Sequence, residues 1–338
     1  MIQQAYVHYN GTGKIFLRRT FMRKIFFVLT IGLLIAAAGF YHFIATDYSA
    51  RQNEHRRKLG AVYMTLNNPF YEVIDEEIRT VVENHGDVLI SRDPALSVEK
   101  QLEEIQNLID AEVELIFINP VDWTKVEPAL KLARDAKIPV IAIDTNVEDD
   151  TLVNCTVVSD NYSAGVQCAE HLLKNSSGGK IAILKHSQAR SSIDRIGGFL
   201  DKISANKNFE VVAEAECLGQ LEIAMPAMEN MIKIHPEINI VMALNDPAAM
   251  GAIAALQSVN RLGDVKVYGV DGVPETKEMI FSRRMTATAG QSPRKIGRIA
   301  ADRAYKIFDG ERVEKIIKLP THLISSENIS STDIDGWN

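Results

Sequence analysis

The chain has 338 residues, a formal net charge of −7 at pH 7, and apolar and charged fractions of 46% and 24%. That length exceeds what one hydrophobic core of about 250–300 residues organises, so two domains are expected. Residues 1–58 carry nine Lys/Arg against Asp47 and Glu54 while the rest is acidic, which argues against sequence-independent binding to nucleic acid.

The N-terminal segment stands apart. "RRTFMRK" precedes "IFFVLTIGLLIAAAGFYHFIA", Ile25 to Ala45, a run without Asp, Glu, Lys or Arg. At about 1.5 Å per residue such a helix can cross a hydrocarbon core of about 30 Å. A basic start before an apolar run reads as an export signal with its N-terminus in the cytoplasm. The run is longer than the core of a cleaved signal, and no cysteine follows it for lipidation, so an uncleaved anchor is favoured. The small residues of "AAAGF" and "ATDYSA" leave cleavage open, and Met22 could itself begin a conventional signal. The expected organisation is a cytoplasmic extension (1–24), an anchor or signal segment (25–45) and a linker (46–58). "GTGK" (Gly11 to Lys14) lacks the spacing and the following Ser/Thr of a phosphate loop.

From about Gly60, apolar runs alternate with segments of helical period, the signature of βαβ units and a parallel sheet. "AVYMTL" leads to a helix with Ile74, Ile78, Val81 and Val82 on one face, ended by Gly86. "VLIS" is followed by a helix carrying Leu102, Ile105, Leu108 and Ile109. "ELIFI", a helix near Val126 to Ala133, and "VIAI" complete a first set. The second set runs "CTVV", a helix near Ala164 to Leu173, "KIAIL", a helix near Ser192 to Ile203, and "FEVVAEA". A helix near Ile223 to Ile234, "INIVMAL", a helix from Ala248 to Leu256, "VKVYGV" and "TATAG" finish it. Crossings are expected near Val157 to Asn161 and Gly290 to Pro293, because one more helix, Arg294 to Phe308, follows the second set. The lobes are then 59–158 with 292–318, and 159–291 with 319–330, joined by short crossings that suit hinge motion.

Polar residues collect after the strands. Asn67 and Asn68 follow "VYMTL", Asn119 follows "ELIFI", and Asp144 follows "VIAI". Asn245 and Asp246 follow "IVMAL", and Asp271 follows "VYGV". Ligands of parallel α/β sheets bind outside the carboxyl ends of the strands. Asn and Asp also cap helices and make turns for local reasons, so each one alone is ambiguous. Their recurrence in both halves, beside Phe70 and Tyr71, suits a sugar, whose hydroxyls take amides and carboxylates and whose flatter face takes rings. Cys155, Cys168 and Cys217 are an odd number at no metal-ligand spacing and read as small core residues. The histidines fall at no paired ligand spacing, and His186 reads as a surface residue. No metal or cofactor is expected.

These residues resemble a family. "TLNNPFY", "LIFINPVD", "IPVIAIDT", "VVSDNYSAG", "RIGGF", "LNDPAAMGAIAAL", "VYGVDGVPE" and "AGQSP" occur in the order found in ribose-binding-type periplasmic proteins, the type I sugar-binding proteins of ABC transporters. The resemblance spans Leu59 to Asn328. It implies the type I fold, two doubly wound parallel-sheet lobes joined by a hinge, here preceded by one transmembrane or signal helix. It implies that Asn68 hydrogen-bonds a sugar while Phe70 and Tyr71 stack on its faces. Asn119 and Asp144 would complete the first lobe's side, and Arg195, Asn245, Asp271 and Gln291 would close from the second. The chain departs from the family where Asp144 is followed by Thr145 rather than Arg, where a second-lobe aromatic is replaced near Gly219, and where Val270 precedes "DG". These changes remove a charge and loosen stacking, leaving an altered pentose, a hexose or another small polyol as ligand.

The resemblance implies an extracytoplasmic binding protein, not an enzyme, that delivers a carbohydrate to an ABC transporter permease. An anchored sugar sensor acting through a membrane histidine kinase is an alternative. A transcription regulator of the lactose-repressor type shares the two-lobe architecture, but its DNA-binding segment is replaced here by the apolar run. An enzyme of sugar chemistry has only the strand-end carboxylates in its favour.

Overall fold

Strongly apolar strands of four to eight residues, each leading into an amphipathic or capped helix, generate two parallel sheets. The computed structural model describes residues 26, 27, 29–42 and 56–337. The first sheet runs β1 (Lys58–Val62), β2 (Val88–Arg92), β3 (Leu115–Ile118), β4 (Val140–Ile143), β5 (Cys155–Ser159) and β11 (Ile316–Leu319). Its spatial order is β2-β1-β3-β4-β5-β11, parallel throughout. The second holds β6 (Gly179–Lys185), β7 (Phe209–Glu216), β8 (Ile240–Ala243), β9 (Lys266–Asp271), β10 (Ala287–Gly290) and β12 (His322–Ser325). Its order, β7-β6-β8-β9-β10-β12, repeats the first, except that β12 is antiparallel to β10 at the edge.

The central strands are buried on both faces, as parallel sheets require. On the first sheet Leu59, Phe117 and Ile141 pack under the helices Pro69–Asn84 and Pro293–Phe308, while Ile116, Ile118 and Val140 face Val98–Asp110 and Glu127–Asp135. The second sheet is sandwiched in the same way, with Ile181, Ile183 and Met242 on one face and Ala182, Val241 and Ala243 on the other. All three cysteines are buried and free. The chain passes to the second sheet after β5, returns with the helix Pro293–Phe308, and crosses again between Leu319 and His322.

Helix starts are set by side chains the sequence places there. Asn68, Ser97, Asp160 and Asn245 each accept a main-chain N–H from the first turn that follows. Proline stands at the start of the helices after Asn68 and Asn245, where its missing N–H is harmless. One expectation is corrected on the helix Val98–Asp110. Leu102 is exposed and Gln101 is buried, because the Gln101 amide donates to Asn119 O at 2.9 Å and accepts from Val121 N at 2.9 Å. The side chain that pins the turn after β3 therefore takes the inward position.

Phe26, Phe27 and Leu29–His42 are helical, with exposed side chains. Among the described residues no helix is long and apolar enough to cross a membrane. The ends of the Ile25–Ala45 run, the extension 1–24 with its "GTGK", and most of the 46–58 linker lie outside the described residues.

Candidate functional site

In each sheet the order reverses at one place, between β1 and β3 in the first and between β6 and β8 in the second. Helices leave such a pair of strands toward opposite faces, so the carboxyl ends part and open a crevice. Both crevices contribute to one cavity. Asn68, Phe70, Tyr71 and Asp144 line it from the first lobe, and Arg195, Asn245 and Asp271 from the second. The structure thus brings together seven of the nine residues to which the resemblance gives a ligand role.

At its centre lies a buried charge cluster. Arg195 NH2 stands 4.0 Å from Asp144 Oδ1 and Arg195 NH1 stands 3.7 Å from Asp271 Oδ1. The guanidinium is held from behind, its Nε donating to Asn161 Oδ1 at 2.7 Å and NH1 to Leu244 O at 3.0 Å. Asp144 Oδ2 accepts from Tyr71 OH at 3.2 Å and from Asn119 Nδ2 at 3.3 Å. Asp271 Oδ1 accepts from Gln291 Nε2 at 2.7 Å. The other oxygens, Asp144 Oδ1 and Asp271 Oδ2, are buried and have no hydrogen-bond partner among the described residues. Burial pushes the Asp144 carboxyl above its ordinary range, against the pull of Arg195. Asp271 is pushed further, by burial first and then by the neighbouring charges of Asp246 and Asp144. Such an arrangement suits a ligand with several hydroxyls, each free to donate to a carboxylate and accept from a guanidinium.

Asn119 and Gln291 do not line the cavity. Asn119 Oδ1 takes the Met64 N–H at 3.0 Å and its Nδ2 reaches Ile143 O and Asp144, so both ends of the amide are engaged. Each of these amides orients a carboxylate rather than facing the crevice. Asn68 and Asn245 line the cavity and also cap helices. Their Oδ1 atoms cap helices, and Asn245 Nδ2 donates to Gly219 O at 3.0 Å, whereas Asn68 keeps Nδ2 for the cavity. Phe70 and Tyr71 meet edge to face at 5.7 Å and 81° to form the aromatic wall, with Trp337 against Phe70 at 5.9 Å.

His186 corrects an expectation. It is buried and lines the cavity, because its main-chain N–H donates to Ser192 Oγ at 3.0 Å and folds the turn after β6 back over the sheet end. Met64, Gly219 and Gln220 also line the site without having been singled out as contacts. Gly219 has φ +68°, and a β carbon there would stand 2.8 Å from Asn245 Nδ2, so a side chain would be strained and would displace the Asn245 amide. The backbone is unusual at the carboxylates too, with φ +65° at Asp144 and +142° at Asp271. Non-glycine residues hold such angles only where surroundings over-determine them, and functional sites are where they collect. For Asp271 the surroundings are clear: buried Asp246 accepts from Gly272 N, Val273 N, Thr276 Oγ1 and Thr288 Oγ1, which fixes the following turn.

The lobes touch at the rim of the cleft. Asn67 Nδ2 donates to Gln220 Oε1 at 3.1 Å and Glu222 Oε1 at 3.3 Å, and Ser191 N donates to Thr145 Oγ1 at 2.9 Å. The Arg190 guanidinium lies 5.1 Å over the Trp123 ring. The conformation is therefore closed.

Residues 59–312 match the model of the periplasmic binding protein domain. The chain is 30% identical over 272 residues to the ribose import binding protein of Bacillus subtilis, covering 80% of this chain and 88% of that one. A solute-binding protein of an ABC transporter from Mycobacterium smegmatis, solved with glycerol bound, superposes with a TM-score of 0.78 at 31% identity, over 82% of this chain and 96% of that one. Another, from Bacillus halodurans with bound myo-inositol, gives 0.76 at 27% over 82% and 96%. Two like-ordered parallel sheets, a cleft between their strand ends and a family match over most of the length lead to one assignment: the chain belongs to the periplasmic binding protein family.

Proposed function

We propose that this protein binds one small polyhydroxylated carbohydrate, a pentose, hexose or related polyol, outside the cytoplasm and delivers it to an ABC transporter without chemical turnover. The observation that carries this reading is the buried Asp144–Arg195–Asp271 cluster, formed from both lobes and left with unpartnered carboxylate oxygens at a closed cavity. A relative named as a ribose import binding protein and neighbours solved with glycerol and with myo-inositol support the same ligand class. Asn68, Phe70, Tyr71, Asp144, Arg195, Asn245 and Asp271 would touch the ligand; Asn119 and Gln291 would orient the two carboxylates. Closure then follows from the ligand's greater affinity for the closed arrangement of the lobes 59–158 with 292–318 and 159–291 with 319–330. The apolar run Ile25 to Ala45 supports tethering to the outer face of the cytoplasmic membrane, which suits a supply protein and also a sensor that signals to a histidine kinase.

The test is thermal unfolding of the purified chain against a panel of pentoses, hexoses and cyclitols. One or a few should raise the melting temperature in proportion to RT ln(1 + [L]/Kd). A panel without effect contradicts the reading. Co-purification from membranes separates permease subunits from a kinase as partner.

A further inference from the structure

We propose that His186 is a specificity-determining residue of this site, its imidazole Nε2 hydrogen-bonding one oxygen of the bound polyol. The inference rests on the polyol reading above and adds to it the residue that selects among polyols.

Position comes first. His186 directly follows β6, at the switch point of the second sheet, where β6 and β8 part. It is the second lobe's counterpart of the turn after β1 that carries Asn68. The residue is 2% exposed, it lines the same cavity as Asp144, Arg195 and Asp271, and its Nε2 has no hydrogen-bond partner among the described residues. Buried polar atoms are seldom left unpaired, and a ligand oxygen would supply the missing bond.

Its mounting is rigid. The His186 N–H donates to Ser192 Oγ, and Ala189 N donates to His186 O at 3.2 Å, so the turn is tied to the start of the helix Arg190–Ile203. That helix also carries Arg195, so the turn that holds the imidazole is anchored to the element that presents the guanidinium. Their chemistries differ usefully. Carboxylates only accept and a guanidinium only donates, whereas a neutral imidazole offers one of each and can match a hydroxyl either way round. Burial lowers the His186 pKa, while a side-chain hydrogen bond with Gln188 and the charges of Glu216 and Asp122 act in the opposite direction.

The surroundings explain why this contact would discriminate. From the second lobe Leu218 and Gly219 line the cavity, and among the described residues no Phe, Tyr or Trp of that lobe does so. Thr145, on the first lobe, does not line the cavity, and its hydroxyl accepts from Ser191 N across the cleft. On the second lobe a polar contact rather than a Phe, Tyr or Trp ring therefore reads the ligand. A polyol with oxygen opposite His186 is accepted, and its deoxy analogue leaves the nitrogen buried and unpaired.

Calorimetric titration of the full chain and of His186→Ala and His186→Gln with the polyol panel tests this, using the singly deoxygenated analogues of the best binder. His186→Ala should bind that polyol about tenfold or more weakly. His186→Gln, which keeps a donor and an acceptor, should recover part of the loss. One deoxy analogue should bind wild type and His186→Ala alike, because the two deletions remove the same bond. Both variants binding every polyol as the wild type does would overturn the inference while leaving the polyol reading intact. A wild-type chain that binds none of the panel would instead remove the reading beneath it, and the inference with it. If His186→Ala does not fold, His186→Gln with an unaltered deoxy preference also overturns the proposal.

Discussion

Asp144 of the first lobe and Arg195 of the second face each other across the cleft at 4.0 Å, both buried. The distance is too long for a hydrogen bond, so each keeps capacity for a third group. The pair thus attracts the lobes while leaving a space between the charges. That combination links closure to occupancy.

Arg195→Met keeps the length of the side chain and deletes its charge. Asp144 and Asp271 would then face each other in a low-dielectric site without a counter-charge. Polyol affinity should fall by about 100-fold, or about 3 kcal/mol, as for truncation of one partner in a buried charge pair. Titration calorimetry measures the loss. An unchanged affinity would remove Arg195 from the site.

The raised carboxyl pKa values give a pH dependence with a definite sign. Both acids hold protons more tightly in the closed chain than when unfolded. Their contribution to stability is therefore full below the ordinary carboxylate range and is lost as pH rises through the raised values. Polyol hydroxyls donate to the ionised forms, so binding expels protons and affinity strengthens over that same window. Titrations from about pH 4 to about pH 8, in buffers of different ionisation enthalpy, should show proton release on binding. Proton uptake on binding would contradict this.

Gly165 and Gly198 allow the helix Asn161–Asn175 to lie against the helix that presents Arg195. A β carbon on Gly165 would stand 1.8 Å from Arg195 O, and one on Gly198 would stand 2.2 Å from Tyr162 O. Gly165→Ala should force the helices apart, at about 1–3 kcal/mol of stability. It should also weaken polyol binding more than Ile232→Val, a core change of comparable size remote from the cleft. Equal binding by the two variants would show that the helix contact does not position Arg195.

Asn67 reaches across the rim to Gln220 and Glu222. Being exposed, it contributes modestly. Asn67→Ala should weaken binding by about 0.5–1.5 kcal/mol, seen as faster dissociation in stopped-flow measurements. A change confined to the association rate would argue against a clasp of the closed state.

Much of this was legible from residue pattern. Five-residue apolar runs alternating with helical periods gave the βαβ order, and Asp144 and Asp271 stood out as carboxylates at strand ends. The pattern could not separate contact from support. Asn119 and Gln291 occupy the same kind of position as the cavity-lining residues, yet they do not line the cavity: the Asn119 amide is spent on main chain and Asp144, and Gln291 Nε2 donates to Asp271. Nor could it find His186, whose burial depends on Ser192 Oγ capturing a main-chain N–H six residues away. The exchange of Leu102 and Gln101 has the same origin, a polar side chain drawn inward by a neighbouring loop.

The most direct measurement is a crystal structure of the chain with the polyol that most raises its melting temperature. Ligand hydroxyls should lie within about 3.2 Å of Asp144 Oδ1 and Asp271 Oδ2, with Phe70 or Tyr71 against the ring. A polyol bound elsewhere, with those two oxygens untouched, would contradict the assignment of the cleft.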